Sequence, residues 1–214
     1  MKLYVVRHGV STGNSPGLLM GQGDHPLTAV GEAQARAVAA RLAPLGPMPV
    51  YCSDLLRARA TAETIAREWG PASVRPDRRL RELDLGDYEG CGWDEFAGDA
   101  TLRAALDADP YNTALPGGES LALLAERVLA AMRDIVATCR HEAAAIVAHD
   151  GTIRVIVNHH LGVPAEKWWT LSTTHCGVSL LEWTDGWVNV RFVNDTCHLA
   201  GLVLPPEDQR GEGS

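Results

Sequence analysis

Short apolar segments alternate with amphipathic helical segments along the chain, and this alternation restricts the fold more than any other feature of the sequence. Residues 2–6, 49–52 and 143–148 are short, mostly apolar runs, which predicts strands buried on both faces of a sheet. Strands separated by helices pair in parallel, because a helical crossover returns the chain to the same end of the sheet. The sequence therefore predicts an α/β fold, a three-layer α/β/α sandwich with a mostly parallel central sheet.

Four helices are predicted from apolar residues that recur every three or four positions. Thr28 is a candidate N-cap of the first helix, and Ser53 or Asp54 is a candidate N-cap of the second. The predicted helices lie between Thr28 and Pro47, between Asp54 and Gly70, and over about residues 119–140 and 151–161.

The segment between the second and third predicted helices has no regular apolar pattern. Residues 73–85 look extended, and residues 86–118 are rich in glycine, aspartate and alanine, which predicts an irregular insertion that forms a small cap. Its aromatic side chains could line a pocket, although packing beneath the insertion is the more common role for such residues. These aromatic residues are Trp93, Phe96 and Tyr111.

The C-terminal part of the chain predicts a hairpin followed by a tail. Residues 177–183 and 187–194 are β-rich and flank Asp185-Gly186, a strong turn signal. Residues 205–214 are polar and glycine-rich with no apolar face, so a disordered tail is predicted. Residues 1–204 are expected to form one domain.

Charge and composition narrow the possible partners and the cellular location. The chain has 19 Lys and Arg against 27 Asp and Glu, a formal net charge of −8, so a nucleic-acid partner is not expected. Four apolar residues before Arg7 are too few for a signal peptide, and no segment is long enough to cross a membrane, so a cytoplasmic protein is expected. The five cysteines include no C-x-x-C pair, which predicts neither a zinc site nor a disulfide framework.

Cationic side chains and imidazoles follow the predicted strands at the point where each strand ends. Arg7 and His8 come directly after the first strand, and His149 follows the strand at 143–148. Arg57 lies near the start of the helix that follows the second strand. Because the carboxyl ends of parallel strands meet at one edge of a sheet, these side chains are expected to lie together. Burying them is costly without a compensating ligand, so the sequence predicts an anion site.

These residues belong to a series of motifs that resembles the histidine phosphatase superfamily, also called the phosphoglycerate mutase-like family. The matches run in the family's order from residue 3 to about residue 160. The matching stretches are Arg7-His8-Gly9 with Ser11 and Asn14, residues 21–34, Ser53-x-Leu55-x-Arg57-Ala58-x-x-Thr61-Ala62, Leu80-Arg81-Glu82, residues 116–120, and His149-Asp150-Gly151.

The resemblance implies a phosphatase that hydrolyses a small phosphorylated metabolite without a metal or other cofactor. It makes His8 the nucleophile that forms a phosphohistidine, and Glu82 the general acid that protonates the leaving oxygen. It makes Arg7, Arg57 and His149 the groups that clamp the phosphoryl oxygens. This agrees with the chemistry, because nearby cations keep an imidazole unprotonated and nucleophilic.

The same resemblance extends to four residues with less certain contacts. Asn14 and Asp150 are candidate phosphate-binding residues, and Asn14 would supply a neutral amide donor. Gln22 and Arg81 are possible substrate-binding residues, although structural pairing is at least as common for such side chains. The eight histidines have no ligand-like spacing, so no metal site is predicted.

Two other functions remain as alternatives to hydrolysis. A phosphoglycerate mutase would return the phosphoryl group to its substrate, but residues 83–118 contain a single basic side chain, Arg103, which favours access of water to the phosphohistidine. A non-catalytic phosphate-binding module would need neither His8 nor Glu82. The sequence leaves open the substrate and the oligomeric state, monomer or homodimer.

Overall fold

The computed structural model describes residues 1–14, 17–70, 73–184 and 186–202. Within them lie six strands, which are β1 (Lys2–Arg7), β2 (Val50–Cys52), β3 (Val74–Pro76), β4 (Ala143–Ala148), β5 (Val178–Thr184) and β6 (Trp187–Asp195). The same residues hold six α-helices, which are α1 (Ala29–Leu42), α2 (Leu56–Arg67), α3 (Trp93–Gly98), α4 (Ala100–Ala108), α5 (Leu121–Thr138) and α6 (Asp150–Leu161). None of these helices is both long and apolar enough to cross a bilayer.

All six strands form one sheet in the order β3-β2-β4-β1-β5-β6. The first four strands of that order pair in parallel, whereas β5 pairs antiparallel with β1 and β6 pairs antiparallel with β5. Arg7 at the end of β1 lies beside Ala148 at the end of β4. The carboxyl ends of the parallel strands therefore open at one edge, as the sequence predicts.

Helices cover both faces of the sheet, which confirms the three-layer α/β/α sandwich. Alternate residues of β4 face opposite layers, with Ile146 in the cluster that includes α5 and α6 and Val147 in the cluster that includes α1 and α2. Both side chains are fully buried. This burial on two faces explains why the strand is an uninterrupted apolar run.

Two predicted helix boundaries are wrong. Helix α1 begins after its N-cap Thr28 as predicted but ends at Leu42 rather than near Pro47, because Pro44 has no N–H with which to continue it. Neither Ser53 nor Asp54 caps α2, which begins after Leu55. The Asp54 carboxylate pairs with an arginine side chain instead, as described with the site below.

The predictions for the middle of the chain are only partly correct. Residues 73–85 are not extended throughout, because the strand covers only Val74–Pro76 and Arg78–Leu80 form a 3-10 turn. The insertion at 86–118 is not irregular, because it contains α3 and α4. The Asp99 side chain accepts a hydrogen bond from Leu102 N and so caps α4.

The predicted hairpin is present, formed by β5 and β6. Asp185 of its predicted turn lies outside the described residues, as does the predicted tail at 205–214. The extent of the domain and the cap role of residues 86–118 stay predictions.

Candidate active site

His8 lies directly after β1 and is buried. Its Nδ1 lies 2.7 Å from the Gly9 carbonyl oxygen, and Arg57 Nε lies 3.2 Å from its Nε2. A carbonyl can only accept and a guanidinium can only donate, so Nδ1 carries the proton and Nε2 presents its lone pair. The surroundings thus select the neutral tautomer with its proton on Nδ1 and a lone pair on Nε2.

Two further imidazoles face His8. The His149 ring centroid lies 4.9 Å from that of His8, and the His175 centroid lies 5.4 Å from it. His149 is fully buried, and neither of its ring nitrogens has a hydrogen-bond partner among the described residues. Buried polar atoms without partners are costly, so His149 is suited to donate to a ligand.

Burial and the charges at this edge of the sheet keep both imidazoles neutral. Burial and then His149 and Arg57 hold the pKa of His8 well below its ordinary value. Burial and then Arg57 and Arg7 do the same to the pKa of His149. A cluster of cations around a neutral imidazole is the arrangement expected for nucleophilic attack on a phosphoryl group.

Arg57 is buried in the first turn of α2, with its guanidinium held in place by the Gly21–Gly23 loop. Nη1 donates to Gly23 O at 2.6 Å, and Nη2 donates to Gly21 O at 2.7 Å. The loop itself is fixed by the Glu89 carboxylate, which accepts hydrogen bonds from the backbone N–H groups of residues 21, 22 and 23. Glu89 therefore has a structural role.

Arg7 and Asp150 are joined through Thr173. The Arg7 Nη1 atom donates to the Thr173 carbonyl, and its buried Nε has no partner among the described residues. Asp150 Oδ1 accepts from Thr173 N and Oγ1, and Oδ2 lies 2.7 Å from Arg154 Nη2. Burial favours the protonated form of Asp150, but Arg7 and Arg154 lower its pKa overall. The Asp150 carboxylate is thus committed to these contacts.

We call Arg7, His8, Arg57 and His149 the cradle. Asn14 lies beside it, with Oδ1 accepting from Ser11 N and Oγ at 2.9 and 2.8 Å. Asn14 lines the adjoining cavity, and with its carbonyl oxygen engaged the amide nitrogen is the side-chain atom that can donate to a ligand.

Glu82 lies against the N-terminus of α6. Its Oε2 accepts from Gly151 N at 3.0 Å, and its Oε1 accepts from Leu83 N at 2.8 Å. Burial raises the pKa of Glu82, an effect that the Gly151 N–H opposes and the Asp150 charge reinforces. A Cβ at position 151 would lie 2.2 Å from Glu82 Oε1, so only glycine allows this approach.

Sequence reasoning missed Arg127, which fixes the segment that carries Glu82. From α5, Arg127 Nη1 donates to Arg79 O and Arg81 O, and Nη2 donates to Glu82 O. Its Nε and Nη2 also donate to the Glu119 carboxylate at 2.8 and 2.7 Å. The only sequence feature that could have indicated this role is the position of Arg127 beside the apolar stripe of a long helix.

Gln22 and Arg81, the other candidate substrate-binding residues, contact protein groups. Arg81 Nε and Nη2 donate to the two oxygens of Asp54 at 2.6 and 2.7 Å, and this bond lowers the pKa of Asp54. Arg81 Nη1 also lies 3.3 Å from Gln22 Oε1, while Gln22 Nε2 donates to Glu82 O. These contacts hold the Glu82 segment beside the loop that orients Arg57.

A cavity of about 740 Å³ adjoins the cradle, and Arg7, Asn14, Glu82 and His175 line the end that meets it. Of the three aromatic residues of the insertion, Trp93 and Phe96 line the cavity, whereas Tyr111 packs against the core. No group of three or more His, Cys, Asp or Glu side chains in the described part of the chain is placed to hold a metal ion.

Comparison with known proteins agrees with the family resemblance found in the sequence. Residues 3–196 match the family model described as the histidine phosphatase superfamily, branch 1. The probable phosphoglycerate mutase GpmB of Erwinia tasmaniensis is 36% identical over 211 residues, which cover 95% of this chain and 97% of that protein.

Two solved structures are also similar to the chain. The α-ribazole phosphatase of Shigella flexneri has a TM-score of 0.81 and 25% identity, covering 91% of this chain and 96% of that one. The mycobacterial glucosyl-3-phosphoglycerate phosphatase in complex with VO3 has a TM-score of 0.79 and 30% identity, covering 91% and 99%.

Proposed function

The chain belongs to the histidine phosphatase superfamily, and we propose that it is a phosphoric monoester hydrolase that acts on a small phosphorylated metabolite without a metal. The observation that carries the proposal is the neutral His8, with Nε2 directed at Arg57 inside a buried cluster of cationic and imidazole groups. A phosphomonoester dianion would replace the missing partners of Arg7 and His149.

The first step of the proposed reaction forms a phosphohistidine. Arg7, Arg57 and His149 bind the non-bridging oxygens, and the Asn14 amide adds a neutral donor. His8 Nε2 attacks phosphorus, so a P–N bond forms while the P–O bond to the alcohol breaks. The Nδ1–H bond to Gly9 O then stabilises the positive charge that develops on the ring.

Glu82 supplies the proton that the departing alkoxide needs. Burial already raises the pKa of Glu82, and a bound phosphate dianion would offset the cations that favour its ionised form. In the second step the Glu82 carboxylate takes a proton from water as that water attacks phosphorus, which releases phosphate and restores His8. Asp150 acts in this scheme through Thr173, by positioning Arg7.

A mutase is the second candidate, since a relative that is 36% identical is named a probable phosphoglycerate mutase. Hydrolysis and mutase activity differ in the fate of the phosphoryl group on His8. The insertion contributes one basic side chain, Arg103, and its Trp93 is exposed, which favours access of water to the phosphohistidine.

Phosphorus NMR of the reaction distinguishes the two activities directly. With 3-phosphoglycerate and p-nitrophenyl phosphate as separate substrates in EDTA, phosphate release is expected to equal alcohol release after the first turnover. No 2-phosphoglycerate is expected to accumulate. Rapid interconversion of the phosphoglycerates without phosphate release would establish the mutase, and loss of activity in EDTA that one divalent metal restores would reject metal independence.

The tautomer and charge of His8 give a prediction for the free enzyme. Because burial, His149 and Arg57 lower its pKa, the His8 ring should stay neutral as the pH falls through about 6.5, where an ordinary imidazole takes up a proton. Nitrogen-15 NMR of the labelled protein, with free imidazole as an internal reference, would follow Nε2. Protonation of His8 at or above the imidazole midpoint would contradict the proposed role.

A further inference from the structure

We propose that the alcohol part of the substrate carries a large, flat apolar group, which the cavity beside the cradle binds. This inference rests on the proposed phosphatase function and adds the class of leaving group. It rests on the exposure of large apolar side chains around the cavity, on the hydrogen bonds that fix one of its walls, and on its volume.

Three large apolar side chains from three separate segments are exposed around this one cavity. Leu18 is 46% exposed, Trp93 is 55% exposed and Trp169 is 70% exposed, and all three line it. Leaving such area in water costs free energy that a bound apolar group would recover. The more buried Phe96, Leu115 and Trp168 also line the cavity.

The wall that carries Leu18 and Trp93 is held together by backbone hydrogen bonds. Trp93 N donates to Gly17 O at 2.9 Å, Leu19 N donates to Cys91 O at 2.9 Å, and Gly90 N donates to Leu19 O at 2.8 Å. The Phe96 ring also packs against Trp93, with centroids 5.4 Å apart. A wall fixed in this way needs little reordering when a ligand binds.

Two cations line the cavity away from the cradle, Arg103 and Arg154. Arg154 pairs with Asp150 at 2.7 Å, and its guanidinium carbon lies 5.2 Å from the centroid of the Trp169 ring. Arg103 lies on α4 one turn before Asp107, which lines the same cavity. The buried Nε and Nη1 atoms of Arg154 have no hydrogen-bond partner among the described residues, so Arg154 can donate to a polar group of the alcohol while Trp169 packs against its flat apolar part.

The size of the cavity also favours a bulky group. Its volume of about 740 Å³ falls in the range of sites that enclose drug-sized ligands. A three-carbon alcohol would leave most of that space to water, whereas a two-ring aromatic group would cover the apolar walls. Exposed tryptophans are suited to this contact because a flat ring packs against them with little loss of side-chain entropy.

Hydrolysis of 1-naphthyl phosphate and phenyl phosphate tests the inference, since the two leaving groups are both phenols and differ mainly in size. We expect kcat/KM to be at least about tenfold higher for the naphthyl ester. Trp93→Ala and Trp169→Ala should each reduce that preference several-fold. Trp187→Ala is the matched control, because Trp187 is 77% exposed on β6 and is not part of the cavity wall. Equal kcat/KM for the two esters, unchanged in both cavity variants, would overturn the inference while the phosphatase function stands.

Binding of (1-naphthylmethyl)phosphonate, measured by calorimetry against methylphosphonate, gives a second readout that does not depend on turnover. The naphthyl compound should bind at least about tenfold more tightly, and Trp169→Ala should weaken it more than Trp187→Ala does. If no ester is hydrolysed but this difference is present, the proposed function fails and the apolar site stands. Equal binding of both phosphonates would overturn the apolar site itself.

Discussion

Replacing His8 with alanine is expected to lower kcat by about 10⁴-fold or more, because the reaction then has no nucleophile. Removal of a covalent nucleophile in other enzymes costs rates of this order or larger. The cradle's other cations would still bind the substrate, so the loss should fall on kcat rather than on KM. His8→Asn, which keeps most of the volume of the side chain, should show the same loss.

Folding must be shown to be intact in these variants. His8 lies after β1 rather than within a helix core, and among the described residues its side chain hydrogen-bonds only to Gly9 O and Arg57 Nε. Far-ultraviolet circular dichroism and the thermal midpoint should therefore stay close to those of the wild type and of His141→Ala, an exposed-residue control. A folded His8→Asn variant that kept more than about one hundredth of wild-type kcat would reject His8 as the nucleophile.

Replacing Glu82 with glutamine should affect substrates according to how much their leaving group needs a proton. Alkyl phosphates are expected to lose about 10²- to 10⁴-fold in kcat, the usual contribution of a general acid. p-Nitrophenyl phosphate should lose less than about tenfold, because p-nitrophenolate departs without protonation. Equal losses on both substrate types would instead assign Glu82 a purely structural or phosphate-positioning role.

Gly151→Ala should produce a weaker form of the same substrate dependence. The added methyl group would collide with Glu82 Oε1 and displace the carboxyl group without removing it. Gly98→Ala is the matched control, since a Cβ at position 98 meets no atom within 4 Å. A general loss of stability would slow alkyl and aryl phosphates alike, whereas a displaced general acid would slow the alkyl esters more.

The cradle could be predicted from the sequence because Arg7, His8 and His149 lie at or directly after the ends of strands and Arg57 lies in the first turn of the helix that follows β2. Parallel strands end at the same edge of a sheet, so Arg7, His8 and His149 had to meet once the strand assignment was correct. The same reasoning explains the correct prediction of the three-layer architecture, because β4 is apolar on both faces.

The supports of the site depend on tertiary packing and were not predictable. Arg127 reaches the carbonyl groups of residues 79, 81 and 82 only because α5 packs beside that turn. The sequence offers Ser53 or Asp54 as the cap of α2, but Arg81, distant in sequence, binds the Asp54 carboxylate instead. Helix α4 was missed because four of its nine residues are alanine and only two large apolar side chains, Leu102 and Leu106, are present to reveal a period.

The walls of the cavity beyond the cradle could not be predicted from the sequence either. Its walls come from the loop after β1, the insertion and the 3-10 segment that contains Trp168 and Trp169. No local pattern links these three segments, so the sequence alone could not decide whether Trp93 and Phe96 face a ligand or the core.

The most direct test of the account is to trap the covalent intermediate. The enzyme would be mixed with excess p-nitrophenyl phosphate and quenched in the steady state under alkaline denaturing conditions. Mass spectrometry of its peptides would then locate any added phosphoryl group. If His8 is the nucleophile, one phosphoryl group is expected on His8 and none is expected in His8→Asn. A phosphoryl group on another residue, or none although p-nitrophenol appears in a burst equal to the enzyme concentration, would contradict it.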